Sequence, residues 1–220
     1  MASTSPKKKP RLYRGLTPNQ LALERRERLL AAALELFGKQ GYANSPIELI
    51  CATAKVATRH FYEQFDSREA LLKASFDEAA NQLREHITEG LAVESRPLPL
   101  RVSDAVHTGI TYLLDDPRRA RIFCIECVGV SATMEKHRRQ SIHEMAQLVE
   151  DYADSLVTSG ELPERNYHLP SIAVAGMLIE LMVEWLVNDT GLNAAELARE
   201  AVILLRAIII GARHYEAQAL

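Results

Sequence analysis

The 220-residue sequence lacks any uninterrupted apolar run of 18 or more residues, so no membrane-spanning segment is expected. It has only three cysteines, an odd number, and no apolar stretch follows the basic start MASTSPKKKPRLYRG. Together these predict reduced thiols in the cytoplasm rather than a secreted disulfide framework. There is no glycine-rich phosphate loop, and no segment alternates apolar and polar residues long enough to make a strand. Cys124 and Cys127 form a lone C-x-x-C inside an apolar helix, without the second pair a structural zinc site needs, and are expected as core thiols. The stretch HEMAQ, His143–Gln147, misses the two-histidine zinc motif because Gln147 stands where the second His must be. His137 and Glu144 find no serine to complete a nucleophilic triad. Neither an enzyme, a cofactor nor a metal centre is expected.

What is present is 47% hydrophobic and 25% charged, the balance of a globular protein. The formal charge of −3 conceals a division. Residues 1–65 carry 11 Lys and Arg against five Asp and Glu, and the remainder carries 15 against 24. A front of +6 on a body of −9 suits a polyanionic partner for the front.

Helix punctuation recurs along the chain. In TPNQ, Thr17 caps, Pro18 takes the first turn and Gln20 reaches back; Gly41 ends that helix. SPIE repeats the grammar with Ser45 as cap, and DSRE repeats it with Asp66. Past residue 66 every segment reads helical, so the fold class is all-α. The expected division is a basic arm over 1–16, a three-helix unit over 17–66 and a larger helical body over 67–220. Residues 172–187, and AVILLRAIIIG over 201–211, are apolar around nearly their whole circumference. Such helices must be covered on two sides, which predicts a homodimer through the last two helices.

The stretch ICATAKVATRHFYEQF, residues 50–65, carries the functional signal. Ile47, Ile50, Cys51 and Ala54 make an inner stripe, Val56 plugs a turn, and Phe61 and Phe65, one turn apart, anchor a second short helix. The opposite side then presents Arg59 and Glu63, flanked by His60 and Tyr62, donors and acceptors suited to base edges and phosphates in a major groove. A pairing of Arg59 with Glu63 is expected on that side.

LLAAALELFGKQGY, SPIELICATAKVA, TRHFYEQF and DSREALL together resemble the DNA-binding half of the TetR (tetracycline-repressor-like) family. The acidic body is similar to that family's ligand-binding and dimerising part in length and class only. The resemblance implies a double-stranded operator as partner, read by a homodimer that a small-molecule effector releases. It places Tyr42, Ser45, Tyr62 and Arg68 on phosphate-contacting positions and Thr58, Arg59 and His60 on base-facing ones. Three residues depart from the pattern. Lys55 replaces a small turn residue and suggests a differently built turn, Ala57 removes a hydroxyl cap, and His60 replaces a small hydroxyl residue. For the effector, Phe76, His107, Tyr112, Phe123, Met134 and Trp185 are candidates to line one cavity, which would suit a hydrophobic or amphipathic molecule.

Overall fold

The computed structural model describes residues 17–92 and 95–214, so the basic arm expected over 1–16 lies outside the described residues. Those residues form helices and connecting turns, with no strand among them. The order is α1 (Pro18–Gln40), α2 (Ile47–Ala54), α3 (Thr58–Tyr62), α4 (Arg68–Leu91), α5 (Leu98–Asp115) and α6 (Pro117–Arg121). A π-helical turn (Ile122–Glu126) follows, then α7 (Ala132–Thr158), α8 (His168–Val187) and α9 (Ala194–Arg213).

The caps explain the starts. Thr17 and Gln20 form the expected box at α1. Ser67, not Asp66, caps α4 by accepting from the Ala70 N–H, and Glu69 instead receives a hydrogen bond from Ser131 Oγ at 2.6 Å. At α2 the cap position falls on Pro46 without a side-chain bond. Ser45 is fully buried, its hydroxyl donating to the Gly41 carbonyl at 2.7 Å. A local reading put that hydroxyl on the helix end; the sharp turn at Gly41, with φ of 88°, carries it inward instead. Lys55 corrects a second expectation. It adopts the left-handed conformation (φ 54°, ψ 43°), so the α2–α3 turn is the ordinary one, built at a cost of about 1–2 kcal/mol. The Lys55 and Val56 N–H groups close it on Ala52 and Cys51 carbonyls.

A single buried cluster runs from Leu29, Phe37 and Phe61 into Phe76, Phe123 and Leu197, so the N-terminal helices and the body share one core. Phe76 stacks on Phe123 with ring centroids 5.1 Å apart. In the body, α4 packs along α5, α5 against α9, and α7 against α8. By length and composition α8 could cross a membrane, which a search for uninterrupted apolar runs misses. Its exposed stripe, however, carries Glu180 and Glu184, and a charge mid-bilayer costs on the order of 3 kcal/mol. Packed along α7, α8 buries Ser171, Val174, Ala175 and Met182 and leaves its other side uncovered.

Candidate functional site

The three N-terminal helices fix one outward face. Phe61 is fully buried and Phe65 nearly so, 5.9 Å apart, while the Arg26 guanidinium covers the Phe65 ring at 4.5 Å. Burying each ring stabilises the unit by about 1.5–3 kcal/mol and leaves α3 little freedom to rotate. With Phe61 inward, Thr58, Arg59 and Tyr62 project to solvent. Tyr62 is 54% exposed although its ring edge packs on Phe61.

His60 is the hinge of the local electrostatics. Its Nδ1 lies 2.7 Å from Glu63 Oε2, and its Nε2 accepts from Arg59 Nε at 3.4 Å. Glu63 therefore pairs with His60, not with Arg59 as the one-turn spacing suggested. The His60 hydrogen bond, with the charges of His60, Arg25 and Arg59, holds the Glu63 carboxyl below its usual range. Arg25, from α1, reaches the same pair: its NH1 lies 3.4 Å from His60 Nδ1 and 3.8 Å from Glu63. Arg28 NH1 approaches the Lys55 carbonyl at 3.5 Å. Sequence reasoning missed both arginines, which add positive charge beside α3 and the α2–α3 turn with Glu63 and Glu24 within 4 Å of them. The signal was present in ERRER, where one turn of α1 carries three arginines and only Arg26 turns toward the core.

Tyr42 and Arg68 stand together at the edge of α2. The Arg68 guanidinium lies 4.1 Å over the Tyr42 ring and donates to the Ser45 carbonyl at 3.3 Å. The sequence-predicted DNA residues thus fall into two groups, Thr58, Arg59, His60 and Tyr62 on α3 and Tyr42 with Arg68 beside the Ser45 carbonyl, while the Ser45 hydroxyl is buried. The body grips this unit from behind. Glu126, in the π-helical turn, accepts from the Tyr42 N–H at 2.7 Å and from Arg121 Nε at 2.9 Å. Arg118 bonds Glu35 of α1 at 2.6 Å and Asp116 at 2.8 Å.

Within the body, a cavity of about 110 Å³ lies among α4, α5, α7, α8 and α9. Leu83, Ile87, Ile110, Phe123, Leu178 and Met182 are part of its wall, which holds no charged side chain. Phe123 is the one sequence-predicted ligand residue on it. Phe76 and Met134 are consumed by the core. Tyr112 lines a separate groove beside α1, Trp185 turns outward to donate to the Leu192 carbonyl at 2.7 Å, and His107 lies off the cavity. Cys124 and Cys127 are buried, and desolvation pushes both thiols up, Cys127 to about 12. Among the described residues no cluster of His, Cys, Asp and Glu could hold a metal.

Residues 29–75 match the family model for bacterial regulatory proteins of the tetR family. The chain is 24% identical over 182 residues to the fatty acid metabolism regulator protein of Bacillus subtilis, covering 80% of this chain and 91% of that protein. A TetR-family transcriptional regulator from Syntrophomonas wolfei has the same fold, with a TM-score of 0.75 at 21% identity over 86% of this chain and 96% of that one. So does the transcriptional regulator FadR from Bacillus subtilis in complex with stearoyl-CoA, at a TM-score of 0.73 and 20% identity, over 81% and 96%.

Proposed function

We propose that this chain, which carries the N-terminal segment of the TetR family of bacterial regulatory proteins and that family's all-helical fold, is a ligand-responsive repressor that binds a palindromic operator as a homodimer. One observation carries the reading. Burial of Phe61 and Phe65 turns Thr58, Arg59 and Tyr62 outward on a short helix beside which Arg25 and Arg28 add positive charge. Arg59 supplies the forked donor that discriminates bases. Tyr62, Tyr42 and Arg68 sit where phosphates pass, and they set register rather than sequence.

The effector reading rests on the body cavity. An apolar wall without charge suits the tail of an amphipathic molecule, and the relative crystallised with stearoyl-CoA supports a long acyl chain as that tail. Two elements join the cavity to the DNA face. Leu83, Ile87 and Leu91 put α4 on its wall, and α4 begins at Arg68. Phe123 puts the π-helical turn there, and that turn ends at Glu126, which holds Tyr42. π-Helical turns concentrate at functional sites. A ligand that binds better to the released form shifts the operator equilibrium by its differential affinity and no more.

The test begins with fragments of the source genome selected by the purified protein, which define an operator. In a mobility-shift titration, Arg59→Ala should cut discrimination between operator and random DNA by roughly tenfold or more, since one good bidentate base contact is worth about 1–3 kcal/mol. Arg68→Ala should weaken both DNAs alike. Unchanged operator binding by Arg59→Ala together with Tyr62→Phe would end the reading.

A further inference from the structure

Two further pockets adjoin the apolar cavity. Tyr152 and Leu205 line it, and the same two residues line two further chambers of about 260 and 320 Å³. A dry apolar void of about 150 Å³ accepts a molecule the size of benzene. The inner chamber alone, at about 110 Å³, is therefore too small for a long tail. A longer chain held there would have to displace Tyr152 or Leu205, the side chains that separate it from the outer chambers.

The larger outer chamber, bounded by the start of α5 and the end of α9, is where the chemistry changes. Arg206 and Arg213, two turns apart on α9, both line it. Arg206 interrupts an otherwise apolar run and has no carboxylate partner among the described residues; its Nε donates to Ser103 Oγ at 3.1 Å. Ser103 is nearly buried and is itself fixed by donating to the Pro99 carbonyl at 2.9 Å, so the guanidinium is held at the chamber wall. Arg213 is bonded to Glu161 and adds a second, shared positive charge. The half-buried Tyr152 hydroxyl makes no hydrogen bond among the described residues. That hydroxyl still reaches solvent, so it can donate to a bound acceptor in place of water. Burial holds that phenol above its usual range, with Glu161 adding to the effect and Arg213 and Arg206 opposing it.

We propose that Arg206, with Arg213 and the Tyr152 hydroxyl, forms a binding site for the anionic head of a single-chain amphiphile whose tail runs inward past Leu205. This rests on the reading of the body cavity as an effector site and names the chemistry at its mouth. The anion is a carboxylate or a phosphate, and both accept the charge-assisted hydrogen bonds that a guanidinium donates.

Calorimetric titration of the full chain with three probes of one tail length separates the possibilities: dodecanoate, dodecanoyl-CoA and 1-dodecanol. The expected result is that at least one anionic probe binds about tenfold more tightly than the alcohol, the scale of one charge-assisted hydrogen bond. Preference for dodecanoate identifies a carboxylate at the site, and preference for dodecanoyl-CoA identifies the phosphates. Arg206→Gln should remove the preference while leaving alcohol binding intact, and Arg206→Lys should restore part of it. Equal binding of all three probes by the unmodified protein overturns the head site and leaves the cavity reading standing. Binding of none overturns both. An Arg206→Gln variant that keeps the preference and instead dissociates the dimer assigns the residue to an interface and overturns the site.

Discussion

At the scale of single residues, a few charged contacts stand beside the shared core at the junction between the N-terminal helices and the body. Asp116 caps α6 through the Arg118 N–H and also holds the Arg118 side chain, which reaches across to Glu35 on α1. Those hydrogen bonds hold the Asp116 carboxyl below its ordinary value of 3.8. A carboxyl depressed in the folded state stabilises the protein fully above its unfolded pKa, and that contribution is lost as pH falls through the lower folded value. Asp116→Asn should therefore lower the thermal midpoint at neutral pH, and the gap to the unmodified protein should close in acid below the ordinary value. Midpoints measured from neutral to strongly acidic buffer check this. A gap that stays constant with pH would show that the ionised carboxylate is not the source of the stabilisation, and no gap at all would show that Asp116 contributes through its cap alone, which asparagine also supplies. Glu126 joins the two parts differently: one carboxylate oxygen accepts from the Tyr42 N–H and the other from Arg121 Nε, which fixes the position of the α1–α2 turn.

At the scale of elements, α1 and α6 approach so closely that only glycine fits at the crossing. A Cβ built on Gly38 would lie 2.4 Å from Arg118 Cβ and 2.8 Å from its Cα. Alanine in a helix gains about 1 kcal/mol over glycine, but overpacking costs about 1–3 kcal/mol and rises when the obstacle is backbone. The second effect should win. Gly38→Ala is expected to lose about 1–2 kcal/mol in denaturant titration, and an unchanged or raised midpoint would refute the close crossing. The same elements show what the sequence makes legible. The Thr17 box and the Phe61–Phe65 stripe are local patterns of capping and periodicity, and both stand as read. The inward Ser45 hydroxyl depends on the path of the turn at Gly41, and the Arg25–His60 and Glu126–Tyr42 contacts join residues 35 and 84 apart. No local pattern encodes them. The cavity failed the sequence reading for a related reason. Aromatic side chains were the visible candidates, yet its wall is mostly aliphatic residues from five helices, whose convergence is a property of packing.

At the scale of the whole molecule, the proposed homodimer would rest on the surface of α8 and α9. Leu169 and Val187 on α8, and Ile203, Leu204, Ile208 and Ile210 on α9, are all exposed, and nothing stands near Gly176 or Gly211 to prevent another helix from approaching. So much uncovered apolar surface calls for a protein partner, and a second copy presenting the same two helices is the self-complementary solution. That arrangement would also serve the proposed DNA-reading role of α3, because a single helix-turn-helix recognises one half-site, while two held about 34–36 Å apart meet successive major grooves on one face of a duplex. Ile203 is the cleanest probe, since it is 56% exposed and lines none of the three chambers. Ile203→Glu leaves the single chain's core untouched but would bury a carboxylate between two helices. The expected outcome is a scattering mass of one chain, with thermal stability of the isolated fold retained and operator affinity reduced on the order of 100-fold, as coupling of the two half-sites is lost. A variant that still weighs two chains would move the interface off α9, and one that becomes monomeric yet keeps full operator affinity would break the link between assembly and DNA reading.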